Sequence, residues 1–411
     1  MKKRILSLML ALLMMSFMAS CGKDENSSEA GTKSASEEIS SVNSAEASED
    51  KSEAASEEKS EEVSEEEEFM AYKEDKSGYL KGEQTENLNF NSKTIKALDF
   101  KGTFKDAHID ENGRLVMDDG DDLYFALFES DVMNVGEFSS MLISWNANAG
   151  DGKVQVYVSY EAEDGTWSDY FTFGVWSDKK NVSTSKSKSD DYAKMNVDTF
   201  SPKKQTTGNI KFKINLLRNG KYRPVLENIT IATPEMKSAT PGKYPEEAII
   251  DVPMRSQHAP ENGSRGNVMC SATTVAMALE HLGFKQSTYD TAMGTYDVEY
   301  DGYGNWLFSV AEAGSKGYYT FCDFYNEDMM KYALSKGYTI GCSTMLTQAG
   351  HVVLVTGYTV IDGVEYYVVN DPNVNSSKVE VTNYTCEYFN SVWLKSNFNN
   401  LGVVYVFQGQ Y

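Results

Sequence analysis

Apolar and polar residues alternate over long stretches in the first half of this chain. In "GKVQVYVSYEAEDGTWSDYFTFGVWS" Val154, Val156 and Val158 share one face, the run turns at Asp164-Gly165, and a second alternating run follows. "NIKFKINLL" repeats the period with Ile210, Phe212, Ile214 and Leu216. A period of two marks strands with one buried face, and several such strands separated by turn residues predict an all-β sandwich over residues 72–240. Its aromatics Trp145, Trp167, Tyr170 and Trp176 are read as core or edge packing; the alternative is a sugar-stacking platform, which would make a glycan a partner. Asp118, Asp119, Asp121 and Asp122 in "MDDGDDLY" are read as a solvated acidic turn, because a full loop of calcium-ligand spacing is missing.

The rhythm changes beyond "TPEMKSATPGKYPEE", residues 233 to 247, a stretch without periodicity that divides the chain. In "VMCSATTVAMALEHLG" the residues Val275, Ala276, Leu279 and Leu282 fall at helical spacing, and Gly283 supplies the C-terminal stop. "GHVVLVTGYTVIDGVEYYVVNDP" predicts two strands around a turn at Asp362-Gly363. Strands first and a mixed region over residues 246–411 afterwards define an α+β chain.

Ahead of both regions the pattern is of another kind. "MKKRILSLMLALLMMSFMASC" has a basic tip, an apolar run and small residues before Cys21, the marks of a secretory signal over residues 1–20. Met18, Ala19, Ser20 and Cys21 resemble the lipobox of bacterial lipoproteins, which implies acylation of Cys21 and a lipid anchor in the membrane; an ordinary cleaved signal is the alternative. Residues 21–71 are Ser- and Glu-rich with hardly an apolar side chain, too little to offset the entropy of ordering them, so a disordered tether is expected. From 22 to 70 there are 17 acids and 4 lysines, a net of −13 out of −23 for the whole chain. The acidity therefore belongs mostly to the tether, and so negative a chain is not expected to bind nucleic acid.

Export changes what each cysteine means. Cys270, Cys322, Cys342 and Cys386 follow Cys21, and an even number in an exported domain fits two disulfides in any of three pairings. Cys270, however, sits at the mouth of the predicted helix, where unpaired amides and the helix dipole favour a thiolate over a thiol. As a nucleophile it needs a base, and there are four histidines to choose from. His108 lies in the first half. His281, eleven residues along the same helix, is roughly 16 Å away. His258 lies in a loop-like segment with no obvious orienting partner. His351 has one: a hairpin pairing it with Asp371 is centred near the Asp362-Gly363 turn, and Pro372 then ends the strand. A carboxylate there holds the imidazole in one tautomer and stabilises its cation.

"SQHAPENGSRGNVMCSATTVAMALEHLG", "GNWLFSVAEAGSKGYYT", "GHVVLVTGY" and "VVNDP", in that order, resemble the papain-like cysteine peptidases similar to the bacteriocin-processing, double-glycine-leader class. "LISWNANAGDGKVQVYVSYEAEDGTWSDYFTFGVWS" and "YFNSVWLKSNFNNLGVVYVF" look like the sandwich and tail of secreted bacterial members. The resemblance covers about residues 95 to 408. It implies a papain-like domain with Cys270 as nucleophile, His351 as base and then acid, and Asp371 as its orienting partner. It further implies that Gln257 stabilises an oxyanion with the Cys270 N–H, and that Gly304, Asn305 and Trp306 flank the cleft, although a turn and core packing account for the last three equally. The family's Cys-Gly-Pro is here Cys-Ser-Ala, and the ATP-binding cassette of transporter-linked relatives is absent, so processing of this protein's own exported leaders is not expected.

The expectation is an extracellular, membrane-anchored cysteine peptidase acting on peptide or protein substrates, cell-wall peptides among them, without a cofactor. The alternatives are a cell-wall amidase or acyltransferase of the same fold, and a catalytically silent glycan-binding lipoprotein.

Overall fold

Thr206–Leu217 buries Ile210, Phe212, Ile214 and Leu216 and turns Lys211 and Lys213 outward, as its alternation requires. This strand belongs to a computed structural model that describes residues 86–120, 122–179 and 182–410; the signal segment, Cys21, the tether and Asp121 lie outside the described residues. It is central to an antiparallel sheet ordered Gly102–Lys105, Phe125–Ser130, Thr206–Leu217, Lys153–Ala162 and Phe171–Trp176, with Met133–Asn134 also paired to it. A second antiparallel sheet is built on Val225–Ala232, which pairs with Ser92–Lys96 and with Leu142–Asn148. Leu115–Met117 and Ala107–Ile109 extend it. Lys188–Ser189, Ala193–Asn196 and Thr199–Pro202 form a small third sheet.

Trp145 and Trp176 are fully buried and are core residues, unavailable for sugar stacking. Trp167 and Tyr170 are partly exposed, with the Lys211 and Lys213 ammonium groups 4.8 and 4.2 Å from their ring centroids. The acidic turn meets side chains of the protein itself: His108 Nδ1 lies 2.6 Å from Asp118 Oδ1, and Arg223 Nη1 lies 3.2 Å from Asp119 Oδ1.

The second half sets helices against a sheet ordered Tyr318–Tyr325, Gly402–Gln410, Ile340–Thr344, His351–Ile361, Val364–Asn370 and Thr382–Thr385, with Ala248–Ile249 on the fourth strand. Its helices are α1 (Cys270–His281), α2 (Thr288–Thr295), α3 (Trp306–Ser315), α4 (Glu327–Ser335) and α5 (Cys386–Trp393). Every residue of α1 from Cys270 to Leu279 is buried, and Gly283 ends the helix with φ 88°, open to glycine at little cost. Thr274 Oγ1 donates to Val352 O at 3.1 Å and ties α1 to the strand that carries His351.

All ten residues of α3 are buried, which a helix achieves only when it is covered on both sides. The second cover is the strand Leu142–Asn148. A Cβ on Gly314 would meet Asn146 Nδ2 at 2.5 Å and Asn146 Cα at 3.1 Å, so glycine is what lets α3 lie on that strand. Asn146 Nδ2 in turn donates to Thr320 O at 2.8 Å, Cys322 N donates to Ser144 Oγ at 3.1 Å, and Trp176 Nε1 donates to Gly294 O at 2.9 Å. One apolar cluster accordingly runs from Ala97 to Phe407 through both halves. The stretch between them is held rather than loose: Tyr244 donates to Asp328 Oδ1 at 2.7 Å, and Tyr358 donates to Pro245 O at 2.9 Å.

Candidate active site

Cys270 opens α1 and is buried, at 1% residual exposure. Met269 precedes it without a side-chain cap, so the first-turn amides keep their partial positive charge near the thiol. His351 is the first residue of its strand. Thr344, opposite it in the neighbouring strand, donates its hydroxyl to His351 O at 3.0 Å and fixes the backbone there.

His351 Nε2 lies 2.6 Å from Asp371 Oδ1. The other ring nitrogen, Nδ1, is left for the Cys270 sulfur, to which the ring is hydrogen-bonded. The hairpin turns at Asp362 and Gly363, both with positive φ, but His351 and Asp371 are not cross-strand partners. An irregularity between Val355 and Gly357 shifts the register, and the last pair is Leu354 with Asn370. The two side chains meet just beyond the end of the ladder, where Pro372 follows.

Two further donors hold the carboxylate. Asn373 N donates to Asp371 Oδ1 and the Tyr384 hydroxyl to Oδ2, each at 2.8 Å. Burial opposes ionisation of Asp371, but the His351 ring and these donors prevail and lower its pKa. For His351, burial disfavours the cation, yet the Asp371 carboxylate and the Cys270 sulfur overcome it and raise the pKa to about 10. The ring is therefore held as imidazolium at neutral pH.

Gln257 is buried beside the loop that enters α1. Its backbone N–H donates to Pro372 O at 2.8 Å, and its Nε2 donates to Asn267 O at 2.9 Å, three residues before Cys270. Its Oε1 is buried with no partner. An amide NH2 has two hydrogens, so one donor of Gln257 is unspent after the bond to Asn267.

His258, which the sequence leaves without an orienting partner, has two: Nδ1 lies 3.1 Å from Asn267 Oδ1 and Nε2 lies 2.8 Å from Asn373 Oδ1. His108 and His281 take no part; His281 contacts Asp251 O at 3.2 Å at the far end of α1. Asn305 caps α3, its Oδ1 accepting from Leu307 N at 3.1 Å and Phe308 N at 3.2 Å. Trp306 is 8% exposed with Lys395 over its ring, and one turn on Ser309 Oγ lies 2.8 Å from Ser271 Oγ, beside the nucleophile. Tyr384 and Asn373 have no marker in the sequence, since their value comes only from reaching Asp371.

None of the four described cysteines is in a disulfide. Burial pushes the thiols of Cys322 and Cys342 well up, and that of Cys386 up to about 12, which makes them poor nucleophiles. Among the described residues no group of His, Cys, Asp or Glu side chains is placed to hold a metal ion.

A thiol at a helix N-terminus, an imidazole against it and a carboxylate behind the imidazole make up the side-chain set of the cysteine-nucleophile hydrolases. Residues 249–400 match the model of the Peptidase_C39 like family, and residues 60–233 match that of the Peptidase C39 N-terminal domain. The chain thus carries a Peptidase C39-like domain, consistent with a papain-like fold, together with a C39 N-terminal domain, and these support a cysteine peptidase-type hydrolase of bacterial kind. No curated protein matches the chain. Among solved structures, the enzymatically active domain of tailspike protein 4 from bacteriophage CBA120 is similar over 36% of this chain and 20% of its own, at 11% identity and a TM-score of 0.18. That likeness is too slight to bear on fold or function.

Proposed function

We propose that this protein is a surface-anchored cysteine peptidase that hydrolyses peptide bonds through an acyl-enzyme at Cys270. The observation that carries the reading is the His351 imidazole held between the Asp371 carboxylate, at 2.6 Å, and the Cys270 sulfur. In this mechanism Cys270 attacks the scissile carbonyl as a thiolate, forming the S–C bond. The free amide hydrogen of Gln257 and the Cys270 N–H receive the oxyanion. The imidazolium of His351 gives its proton to the leaving amine as the C–N bond breaks. His351, neutral again, takes a proton from water, whose oxygen attacks the thioester and releases the acid and the thiolate. Asp371 keeps the ring in the tautomer and orientation that each step requires.

The first half is proposed to be a β-sandwich, and the N-terminus a signal segment with a lipid on Cys21 that holds the enzyme outside the cell. The test is turnover of a mixed peptide digest, with cell-wall stem peptides in parallel, by the full-length protein and its Cys270→Ser variant. Cleavage of peptides that Cys270→Ser abolishes without lowering the Tm is expected. Equal turnover by both proteins would end this mechanism, and turnover of stem peptides alone would move the substrate to the cell wall.

A further inference from the structure

We infer that His258 is a positioning residue that couples the Gln257 side of the site to its Asp371 side, an inference that rests on the catalytic reading above. Its imidazole spans two asparagines, Asn267 Oδ1 at 3.1 Å and Asn373 Oδ1 at 2.8 Å. Each asparagine holds a working side chain through its backbone. Asn267 O accepts from Gln257 Nε2 at 2.9 Å, and Asn373 N donates to Asp371 Oδ1 at 2.8 Å, the same oxygen that meets His351. A path of hydrogen bonds therefore runs from Gln257 through Asn267, His258 and Asn373 to Asp371, His351 and Cys270.

The backbone around His258 is fastened to the same segment. His258 N donates to Ser256 Oγ at 3.1 Å, Ser256 Oγ donates to Val374 O at 2.6 Å, and Gln257 N donates to Pro372 O at 2.8 Å. Each ring nitrogen faces an asparagine amide, which can present either its oxygen or its NH2 to the ring, so both contacts are kept in either tautomer. Alanine at 258 would leave both asparagine side chains without this link. The Gln257 backbone would keep its bond to Pro372 O, but the Asn267 carbonyl that holds the Gln257 side chain would sit on a loop whose side-chain tie to Asn373 is gone.

The consequence is selective. An oxyanion needs its donor within about 0.5 Å of the right place, so acylation at a carbonyl feels a loosened Gln257. Alkylation by iodoacetamide forms an S–C bond and expels iodide without an oxyanion, so it feels only Cys270 and His351. The probes are p-nitrophenyl acetate, whose ester C–O bond breaks to release p-nitrophenolate as the thioester forms, and iodoacetamide, each followed by mass at Cys270 in the full-length protein.

His258→Ala should slow acylation about tenfold while alkylation changes less than twofold. In a Gln257→Ala background it should have little further effect, because Asn373 N and the Tyr384 hydroxyl hold Asp371 without His258 and only the Gln257 side is loosened. Should His258→Ala fail to fold, Asn267→Ala removes the same link while retaining the carbonyl that holds Gln257, and the same pattern is expected of it. Acylation at the wild-type rate, an equal fall in both reactions, or full additivity with Gln257→Ala overturns the inference and leaves the catalytic reading standing. Absence of acylation at Cys270 in the wild-type protein overturns both.

Discussion

Asp198 Oδ2 accepts the backbone N–H of Trp306 at 2.9 Å, joining residues 108 positions apart in the chain. Asp198 stands at the turn between Ala193–Asn196 and Thr199–Pro202, after Val197 in a left-handed conformation at φ 57°. With Asn305 it satisfies the first three amides of α3, the helix whose Ser309 meets Ser271 beside the nucleophile. The first half thus braces a wall of the candidate site.

Removing that brace should be felt twice. Asp198→Ala leaves the Trp306 amide without its acceptor at a cost of about 1–3 kcal/mol, so a lower Tm is expected in calorimetry together with lower peptidase activity. Asp198→Asn keeps an acceptor oxygen and should recover most of both. Unchanged activity in Asp198→Ala would make the contact purely structural.

Stability should fall as pH rises from about 4 to about 7. Burial raises Asp198, Asp323 and Glu312 each to about 7, above the value they would have unfolded, so the folded protein holds more protons across that window. Denaturant melts at pH 5 and pH 8 would measure the difference, and Asp323→Asn should shrink it. A protein equally stable at both pH values would contradict the burial of these groups.

The imidazolium of His351 should leave a kinetic and a thermodynamic trace. Alkylation of Cys270 is expected at pH values below the roughly 8.5 of a free thiol, and His351→Ala should slow it. His351 is raised to about 10, so its stabilising effect is complete below its unfolded value near 6.5 and is lost as pH rises through about 10. Melts of His351→Ala should lack that alkaline loss. A Cys270 that resists alkylation, or is labelled equally fast in His351→Ala, would separate the two residues functionally.

Tyr384→Phe removes one of the donors on Asp371. A loss of roughly 1 kcal/mol, about fivefold in kcat/KM, is expected. Because the Tyr384 hydroxyl helps lower the Asp371 pKa, the acid limb of the activity profile should move to higher pH. A pH–rate profile that overlays the wild type would show that Tyr384 does not act through Asp371.

What the sequence made legible was local. Period two marked Lys153–Ala162 and Thr206–Leu217, helical spacing marked α1, and the centre of a hairpin brought His351 near Asp371. Even there the two are not cross-strand partners: the turn pairs Ile361 with Val364, a register that sets Asp371 opposite Leu354, and the irregularity at Val355 to Gly357 brings it one residue nearer His351. The partners of His258, the Tyr384 hydroxyl and the Asp198 carboxylate were invisible because each is a single polar contact between distant segments. Such contacts repeat with no period and favour no residue type strongly enough to stand out. The buried acids were hidden for a related reason: Asp198 and Asp323 look like ordinary surface carboxylates until the chain folds around them.

Leu88 and Phe90 are fully buried in the core of the second half, among residues such as Phe321, Tyr325 and Trp393. The Phe90 and Asn91 amides and the Ser92 hydroxyl all donate to Asp323 Oδ2. The described chain is therefore fastened to the second half, through Glu86 to Tyr332, Lys336 and Gln408 and through residues 90–92 to Asp323, before it builds any sheet of its own. A pull arriving at Glu86 is shared at once among α4, the strand Gly402–Gln410 and the strand Tyr318–Tyr325, as a rope is borne by the cleat it is made fast to, and the candidate site stands on the same sheet.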